Sequence, residues 1–323
     1  MKRIGVFTSG GDAPGMNACV RAVVRTAIAN GIECVGIKRG YQGMIEGDFV
    51  KLEAHSVSNI IQRGGTILKS SRSEQFRTQE GRQMAFNRIG EAGIEGLVAI
   101  GGDGTFTGAK LFYSEYKIPT IGIPGTIDND LYGTDYTIGY DTALNTVVDA
   151  IDKIRDTADS HNRLFFVEVM GRDAGFIALN SGIAGGAEMV LIPETKSYIE
   201  QVVEKLEQGW RRKKASSIIV VAEGDETGGA MEVAKAVKEK FNEYDARVVV
   251  LGHIQRGGSP TCMDRVLASR LGVAAVEGLL DGLGNLMVGI VNDEVKHTSF
   301  AQAIKHEAKL DTKLMRIVEI LST

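Results

Sequence analysis

Short runs of aliphatic and β-branched residues alternate with helical periodicity along almost the whole chain. Residues 4–8 form the first apolar run, and apolar positions then recur at helical spacing from residue 16 to residue 28, before Gly31. The same alternation predicts further strands at residues 35–37, 97–100, 118–123, 164–169, 189–192, 218–222 and 248–251. It predicts further helices at residues 83–92, 105–116 and 144–154.

This order of elements predicts the α/β class, with largely parallel sheets that helices cover on both faces. A chain of 323 residues has room for two such three-layer domains. Gly139, which precedes the long helix, is the single boundary that the pattern favours.

Composition narrows the class of protein without indicating a function. A hydrophobic content of 43% and a charged content of 24% are typical of soluble globular proteins. The formal net charge of −4 gives no reason to expect nucleic acid or a membrane surface as a partner. The 3 scattered cysteines form no Cys-x-x-Cys pair, which argues against a disulfide framework and a structural zinc site. Since neither a signal peptide nor a membrane-spanning apolar run is evident, we expect a cytoplasmic protein.

A dense polar cluster follows the apolar run at residues 118–123. The sequence at residues 124–130 is Pro-Gly-Thr-Ile-Asp-Asn-Asp, which places the carboxylates of Asp128 and Asp130 close together. Open α/β sheets bind their ligands at the carboxyl ends of strands. One of these carboxylates can hold a metal ion while the other accepts a proton. An ordinary turn is the competing interpretation, because Asp and Asn side chains also bond to nearby backbone.

Glycine-rich loops follow two of the predicted strands. Residues 10–15 read Gly-Gly-Asp-Ala-Pro-Gly, and residues 101–105 read Gly-Gly-Asp-Gly-Thr. Glycines let the backbone approach a phosphate, and the following helix offers N–H groups and its positive end. Neither loop is a P-loop, because the chain contains no Gly-Lys pair, and neither has dinucleotide-binding spacing. A tight strand-to-helix turn explains one such loop, but two beside an acidic cluster favour a nucleotide phosphate with Mg²⁺.

Basic residues near the ends of predicted strands favour a second anion site. Arg163 and Arg247 precede strands, Arg172 and Arg256 follow strands, and Arg72 lies in a loop. Arginine suits phosphate because its planar guanidinium donates two parallel hydrogen bonds. A single arginine is more often a solvated surface charge, so this interpretation depends on their number and position.

Five segments together carry a specific resemblance. They are Gly-Gly-Asp-Ala-Pro-Gly-Met-Asn-Ala at 10–18, Gly-Gly-Asp-Gly-Thr at 101–105, Pro-Gly-Thr-Ile-Asp-Asn-Asp at 124–130, Met-Gly-Arg at 170–172 and Gly-His-Ile-Gln-Arg-Gly-Gly-Ser-Pro at 252–260. In this order they resemble the bacterial ATP-dependent 6-phosphofructokinases, and only the stretch from His297 is not distinctive. The resemblance implies two Rossmann-like domains and a homotetramer. It replaces the single boundary by a nucleotide-binding domain of residues 1–138 and 251–301, and a sugar-phosphate and effector domain of residues 139–250 and 302–323.

The activity implied by the resemblance belongs to glycolysis: transfer of the γ-phosphoryl group of ATP to the 1-hydroxyl of fructose 6-phosphate, giving fructose 1,6-bisphosphate and ADP. Asp128 would be the base that takes the proton of the sugar 1-hydroxyl, and Thr126 would lie beside the reacting groups. Asp103 and Asp130 would serve Mg²⁺. The transferring group would be stabilised by Gly11, Arg72 and Arg172. The nucleotide site would comprise Gly11, Tyr41, Arg72, Gly102, Asp103, Gly104, Thr105 and Gly108. The sugar-phosphate site would comprise Thr126, Asp128, Met170, Gly171, Arg172, Glu223, His253 and Arg256, with Arg163 and Arg247 supplied by a neighbouring subunit.

An effector site for phosphoenolpyruvate or ADP, between subunits, is a further implication of the resemblance. Its residues would be Arg21, Arg25, Arg155, Glu188, Arg212 and Lys214. Arg21 and Arg25 share a face of the first helix, although an ordinary solvated face is the alternative. The family has basic residues near the positions of Ala54, Ala215 and Ser216, so we expect a weak response.

Two other functions stay open. Pyrophosphate-dependent relatives resemble this sequence but typically carry Asp and Lys where it has Gly104 and Gly125. These glycines favour ATP, because they leave room for the rest of the nucleotide. A nucleotide-binding regulatory protein without catalysis is disfavoured by the presence of Asp128.

Overall fold

The computed structural model describes residues 1–159, 163–196, 198–212, 216–241, 243–306 and 308–322. The chain forms two compact units, Met1–Thr142 with Arg256–Ala308, and Ala143–Gln255 with Lys309–Thr323. The predicted boundaries followed residues 138, 250 and 301, whereas these units change after residues 142, 255 and 308. The binding role of each unit stays a prediction.

The strands and helices alternate as follows along the described chain. The strands are β1 Arg3–Thr8, β2 Glu33–Ile37, β3 Phe49–Leu52, β4 Gly96–Gly101, β5 Thr120–Pro124, β6 Arg163–Val169, β7 Met189–Leu191, β8 Ser217–Ala222, β9 Asp245–Val250, β10 Leu286–Val291 and β11 Glu294–Ser299. The α-helices are α1 Met16–Ala29, α2 Gly40–Glu46, α3 Gln79–Glu91, α4 Asp103–Tyr116, α5 Tyr140–Asp159, α6 Phe176–Ala184, α7 Ile199–Arg211, α8 Ala230–Lys240, α9 Cys262–Leu280, α10 Phe300–Lys305 and α11 Met315–Leu321.

Each unit has its own sheet. The first has the strand order β11-β10-β5-β4-β1-β2-β3, in which β3 and β11 are antiparallel edge strands and the other pairs are parallel. The second has the order β7-β8-β6-β9 and is parallel throughout. The α/β class with largely parallel sheets is therefore confirmed.

The central strands coincide with continuous apolar runs of the sequence. Every residue of β4 and β8 is buried, as expected for parallel strands that are covered on both faces. Strands β3, β10 and β11 were not among the predicted strands. The β11 residues are mostly polar and exposed, so an apolar run could not reveal this edge strand.

Separate hydrophobic cores stabilise the two units. Phe7, Leu97 and Phe112 are among the fully buried side chains of the first core. Phe166 and Ile219 belong to the second core, and α11 returns to pack on α6 and β7 of that unit. Burying one such side chain contributes about 1.5–3 kcal/mol. Among the helices that the structure describes, none combines the length and apolar character needed to cross a membrane.

Candidate active site

Three loops of the first unit carry predicted site residues. Each loop follows the carboxyl end of a strand, and the three strands are parallel neighbours. β1, β4 and β5 are adjacent, and residues 9–15, 102 and 125–130 follow their carboxyl ends. Ser9 N–H donates to the Ile100 carbonyl at 3.0 Å, and Gly125 N–H donates to the Gly101 carbonyl at 3.0 Å. The loops therefore lie side by side at one sheet edge, where α/β folds form ligand sites.

Close approach explains Gly101 at this edge, where a Cβ would also lie 2.5 Å from the Ser9 carbonyl oxygen, and it places a cation beside Gly11. A Cβ on Gly101 would lie 2.3 Å from Thr105 Oγ1, and one on Gly11 would lie 2.4 Å from Arg256 Nη1. Arg256 Nη1 also donates to the carbonyl of Asp12 at 3.4 Å. The first glycine loop thus packs against a guanidinium group, a cation well suited to phosphate.

Residues 124–130, which follow β5, are called the acidic loop below. Asp128, the candidate base, lies in this loop with only 2% of its surface exposed. Thr126 Oγ1 donates to Asp128 Oδ2 at 3.1 Å, and Asp128 N–H donates to the same hydroxyl oxygen at 3.2 Å. Thr126 therefore fixes the orientation of the carboxylate. A general base needs such a fixed position relative to the proton that it takes.

Asn129 closes the acidic loop, a role that the sequence analysis did not anticipate. Its backbone is left-handed, with φ 55°, which Asn tolerates better than most residues. Its Oδ1 accepts from Thr137 N–H at 2.8 Å, and its Nδ2 donates to the Asp135 carbonyl at 3.2 Å. Thr137 Oγ1 in turn donates to the Thr126 carbonyl at 2.6 Å. The segment from residue 126 to residue 137 is thus cross-linked around Asp128.

The second glycine loop becomes the start of α4 earlier than predicted. Helix α4 begins at Asp103 rather than Thr105, consistent with the preference for acidic residues in the first turn of a helix. A Cβ on Gly104 would meet no atom within 4 Å. The Thr105 hydroxyl is buried and has no hydrogen-bond partner within the described part of the chain. This turn offers backbone N–H groups, a hydroxyl and open space, which suit a nucleotide phosphate.

Tyr41 supports this turn from the core. Its hydroxyl donates to the Thr105 carbonyl at 2.5 Å, and its ring stacks on Phe76 at 4.0 Å. Burial raises the pKa of the Tyr41 phenol, so the hydroxyl stays protonated as a donor. A Cβ on Gly108 would lie 2.8 Å from this ring. Tyr41 and Gly108 therefore pack together beside the helix start, while a direct contact with nucleotide stays a prediction.

The loop that carries Arg72 is anchored to the end of β1. Thr8 Oγ1 donates to the Lys69 carbonyl at 2.9 Å, and the Ser70 hydroxyl donates to the Gly10 carbonyl. Arg72 is exposed and lies directly beyond these anchors. The structure thus ties the Arg72 loop to the first glycine loop.

The predicted magnesium ligands are consistent with an ion that is shared with substrate. Asp103 is exposed at the first position of α4 and Asp130 is half-buried in the acidic loop, and both follow strands that end at this sheet edge. Within the described ranges, no group of three or more His, Cys, Asp or Glu side chains could hold a metal ion. Mg²⁺ is commonly bound by one or two carboxylates together with substrate phosphates. Two carboxylates at the sheet edge where a phosphate site is predicted fit that mode.

Glu223 organises the predicted sugar-phosphate turn of the second unit. Glu223 follows β8 and residues 170–172 follow the adjacent parallel strand β6. Its Oε1 accepts from Gly171 N–H at 3.2 Å and Arg172 N–H at 2.9 Å. Gly171 and Arg172 both have positive φ, 142° and 53°, and a Cβ on Gly224 would lie 2.0 Å from the Arg172 carbonyl oxygen. The Glu223 carboxylate therefore stabilises an unusual backbone turn.

Gln255 connects this turn to the segment that contains His253. It is fully buried; its Oε1 accepts from Met170 N–H at 3.2 Å, and its Nε2 donates to the Gly252 carbonyl at 3.0 Å. His253 is exposed. Met170, Glu223 and His253 thus follow the carboxyl ends of β6, β8 and β9, which are neighbours in the second sheet. Arg256 belongs instead to the first unit, beside Gly11.

One carboxylate brings Arg163 and Arg247 together. Asp245 Oδ2 lies 2.7 Å from Arg247 Nη2 and 3.5 Å from Arg163 Nε. The pairing of β6 with β9 places Arg163 opposite Asp245. Two cations around one anion leave a net positive charge that suits a phosphate. Asp245 was not among the predicted site residues.

The predicted effector residues occur in both units. Arg21 and Arg25 lie on α1. Arg155 Nη2 donates to the Gly186 carbonyl at 2.9 Å, Glu188 is buried, and Arg212 is exposed. Lys214 and Ala215 lie outside the described residues. The effector assignment stays a prediction.

The fold is that of the α/β proteins whose ligand sites form at the carboxyl ends of parallel strands. The chain belongs to the phosphofructokinase family, whose profile, described as Phosphofructokinase, matches residues 3–279.

Named relatives match the whole chain. The ATP-dependent 6-phosphofructokinase of Cytophaga hutchinsonii is 58% identical over 322 residues, which cover 100% of this chain and 98% of that protein. ATP-dependent 6-phosphofructokinase 1 of Thermus thermophilus is 59% identical, with 100% of both chains covered. A solved phosphofructokinase from Saccharomyces cerevisiae is 35% identical with a TM-score of 0.90, and the match covers 100% of this chain and 47% of the yeast chain. A pyrophosphate-dependent phosphofructokinase from Marinobacter aquaeolei, 24% identical with a TM-score of 0.85, shares the fold over 97% of this chain and 86% of its own.

Proposed function

We propose that this phosphofructokinase transfers the γ-phosphoryl group of ATP to the 1-hydroxyl of fructose 6-phosphate, giving fructose 1,6-bisphosphate and ADP. The observation that carries the proposal is full-length similarity, at 58% and 59% identity, to bacterial proteins named ATP-dependent 6-phosphofructokinase. The open space beside Gly104 supports it, because a nucleotide needs more room than pyrophosphate does.

In the proposed mechanism, the hydroxyl oxygen attacks the γ-phosphorus while its proton passes to the Asp128 carboxylate. A bond forms between that oxygen and phosphorus, and the bond from phosphorus to the leaving ADP oxygen breaks. Thr126 holds Asp128 in orientation. Gly11, Arg72 and Arg172 stabilise charge on the transferring group, since phosphoryl transfer depends on positioning and charge neutralisation.

Mg²⁺, which Asp103 and Asp130 would hold, neutralises phosphate charge when it is bound. Backbone groups at Gly102, Gly104 and Thr105 bind the nucleotide phosphates at the start of α4. The sugar phosphate is bound by the second-unit residues Met170, Gly171, Glu223 and His253 together with Arg256.

Assembly, regulation and location are further parts of the proposal. We expect a homotetramer in which Arg163 and Arg247 serve the site of a neighbouring subunit. We expect a weak response to phosphoenolpyruvate or ADP, and a cytoplasmic location.

The test compares ATP with pyrophosphate as donor for fructose 6-phosphate in the presence of Mg²⁺, with fructose 1,6-bisphosphate as the measured product. We expect kcat/KM to be higher with ATP by at least about tenfold. A preparation carrying Asp128→Asn controls for contaminating host enzyme. Equal or faster turnover with pyrophosphate would favour the alternative, a pyrophosphate-dependent fructose 6-phosphate 1-phosphotransferase. Binding of nucleotide without product would favour the regulatory protein.

A further inference from the structure

Asp264 is a buried carboxylate with no role in the mechanism described above. It is the third residue of α9, and only 1% of its surface is exposed. Burial raises the pKa of Asp264, whereas hydrogen bonds from Thr142 and Gly139 act in the opposite direction. A carboxylate at such a depth requires compensating hydrogen bonds.

Those hydrogen bonds all come from the start of α5. Asp264 Oδ1 accepts from Gly139 N–H at 2.8 Å. Asp264 Oδ2 accepts from Thr142 N–H at 2.8 Å and from the Thr142 hydroxyl at 2.5 Å. The carboxylate therefore lies at the N-termini of α5 and α9 together, and both helix dipoles favour its negative charge.

Asp264 holds the segment of residues 137–142, and this segment is hydrogen-bonded to the acidic loop. Ile138 N–H donates to the Pro124 carbonyl at 2.9 Å, so the chain directly before Gly139 is paired with the end of β5. Thr137, one residue earlier, donates its hydroxyl to Thr126 and its N–H to Asn129. Residues 137–142 thus connect Asp264 with the residues on both sides of Asp128.

This segment has little space in which to move. Gly139 has a φ of 103°, and a Cβ there would lie 2.6 Å from the Ala13 side chain. A Cβ on Gly15 would lie 2.6 Å from the side chain of Ile138. The segment is therefore closely packed against the first glycine loop while Asp264 holds its end.

Capping of α9 alone does not account for Asp264. Helix α9 already has its own cap in Thr261, whose hydroxyl oxygen accepts from Asp264 N–H at 3.2 Å. Thr261 N–H also donates to the Thr142 hydroxyl at 3.0 Å. The Thr261 hydroxyl donates to Asp141 Oδ2 at 2.6 Å, so the cap residue also contacts the end of the 137–142 segment. The Asp264 carboxylate adds the hydrogen bond to Gly139, nearer the acidic loop, which the cap does not supply.

We propose that Asp264 is a positioning residue for phosphoryl transfer, acting through the 137–142 segment to hold Asp128 in its reactive orientation. The inference rests on the proposed role of Asp128 as the base. It predicts that loss of the Asp264 carboxylate lowers the rate of the chemical step and leaves substrate binding nearly unchanged.

The primary test is Asp264→Asn, which keeps the size of the side chain but presents an amide N–H₂ to donors that need an acceptor. We expect kcat to fall by about ten- to a hundredfold, with KM for both substrates within about twofold. The assay uses the phosphoryl donor that the wild-type protein prefers, so failure of the ATP assignment is visible in the wild type. A lowered melting temperature with unchanged kcat would overturn the proposal in favour of a purely structural role.

A double-mutant cycle tests whether Asp264 acts through Asp128. In the Asp128→Asn background, Asp264→Asn should cause no further loss of kcat, because there is no base left to orient. A loss equal to that in the wild-type background would show that Asp264 acts independently, and the proposal would be wrong.

A pair of variants at Thr142 keeps the proposal testable if Asp264→Asn does not fold. Thr142→Val removes the hydroxyl that donates to Asp264 and should lower kcat severalfold, whereas Thr142→Ser keeps it and should stay within about twofold of wild type. Ser299→Ala, which removes the cap of α10, is the control for a stability loss without a change in kcat. Equal kcat for Thr142→Val and Thr142→Ser would contradict the proposal.

Discussion

The acidic loop of the first unit and the predicted sugar-phosphate residues of the second unit are held in different ways. Thr126, Asp128 and Asn129 are each at most 8% exposed, and hydrogen bonds cross-link their loop. Arg172 is exposed, and the Arg247 side chain is 55% exposed with an ion pair to Asp245. Buried groups keep their orientation and electrostatic strength, while exposed cations are screened and can adjust.

In the proposed mechanism, the two regions have two different tasks. Proton transfer requires a base whose position does not change during the chemical step, because small displacements cost large factors in rate. Recognition of a sugar phosphate requires positively charged side chains that can change conformation as the ligand binds. We therefore expect substitutions in the buried loop to change kcat and substitutions among the exposed arginines to change KM.

The largest expected effect comes from Asp128→Asn. The substitution keeps the size of the side chain but removes the proton acceptor, so kcat should fall by about two to four orders of magnitude with little change in KM. Steady-state rates measure this, and Asp149→Asn on the exposed face of α5 is the matched control. A variant that keeps more than about a tenth of the rate would contradict the role of Asp128.

Arg247→Ala should have the next largest effect, and on the opposite kinetic constant. Loss of a charged contact to phosphate costs about 1.5–3 kcal/mol, so KM for fructose 6-phosphate should rise roughly ten- to a hundredfold. Arg316→Ala, at another exposed position of the second unit, is the control.

Hybrids sharpen the assignment of Arg247 to a neighbouring subunit. Tetramers mixed from Asp128→Asn and Arg247→Ala subunits should regain activity at some sites. If properly formed hybrids show no recovery, the site is not shared between subunits.

Gly104→Asp tests the open space where the nucleotide phosphates are proposed to bind. Since a Cβ there meets no atom within 4 Å, the fold should tolerate the side chain, but its carboxylate should repel ATP and raise KM for ATP by about tenfold. Gly125→Ala is the contrasting variant, because its Cβ would lie 3.0 Å from Ile100 and should lower stability by about 1–3 kcal/mol. Unchanged KM for ATP in Gly104→Asp would show that nucleotide phosphates do not approach this position.

The smallest expected effect is regulation by phosphoenolpyruvate. Ala54 and Ser216 stand where the resemblance leads us to expect basic residues, so millimolar effector should change the half-saturating fructose 6-phosphate concentration by less than about threefold. Steady-state kinetics at several effector concentrations measure the change. A strong shift that Arg21→Ala abolishes would show that the remaining basic residues suffice.

Much of the fold and the site could be predicted from local signals. The apolar runs predicted the central strands, and Gly-Gly-Asp after β1 and β4 marked the loops that meet at one sheet edge. The boundaries shifted by small amounts: β5 includes Pro124, and α4 begins at Asp103. The five motifs also indicated the family that the comparisons show.

The sequence by itself thus determined the α/β class, the family and the residues that carry candidate chemistry, because these depend on residue type and short-range spacing. The tertiary structure decided which side chains support them. Asp264 meets Gly139 across 125 residues of chain, and Asp245 reaches Arg163 through the pairing of β6 with β9. Strand order and helix packing create such contacts, and neither is encoded in the spacing of any one segment.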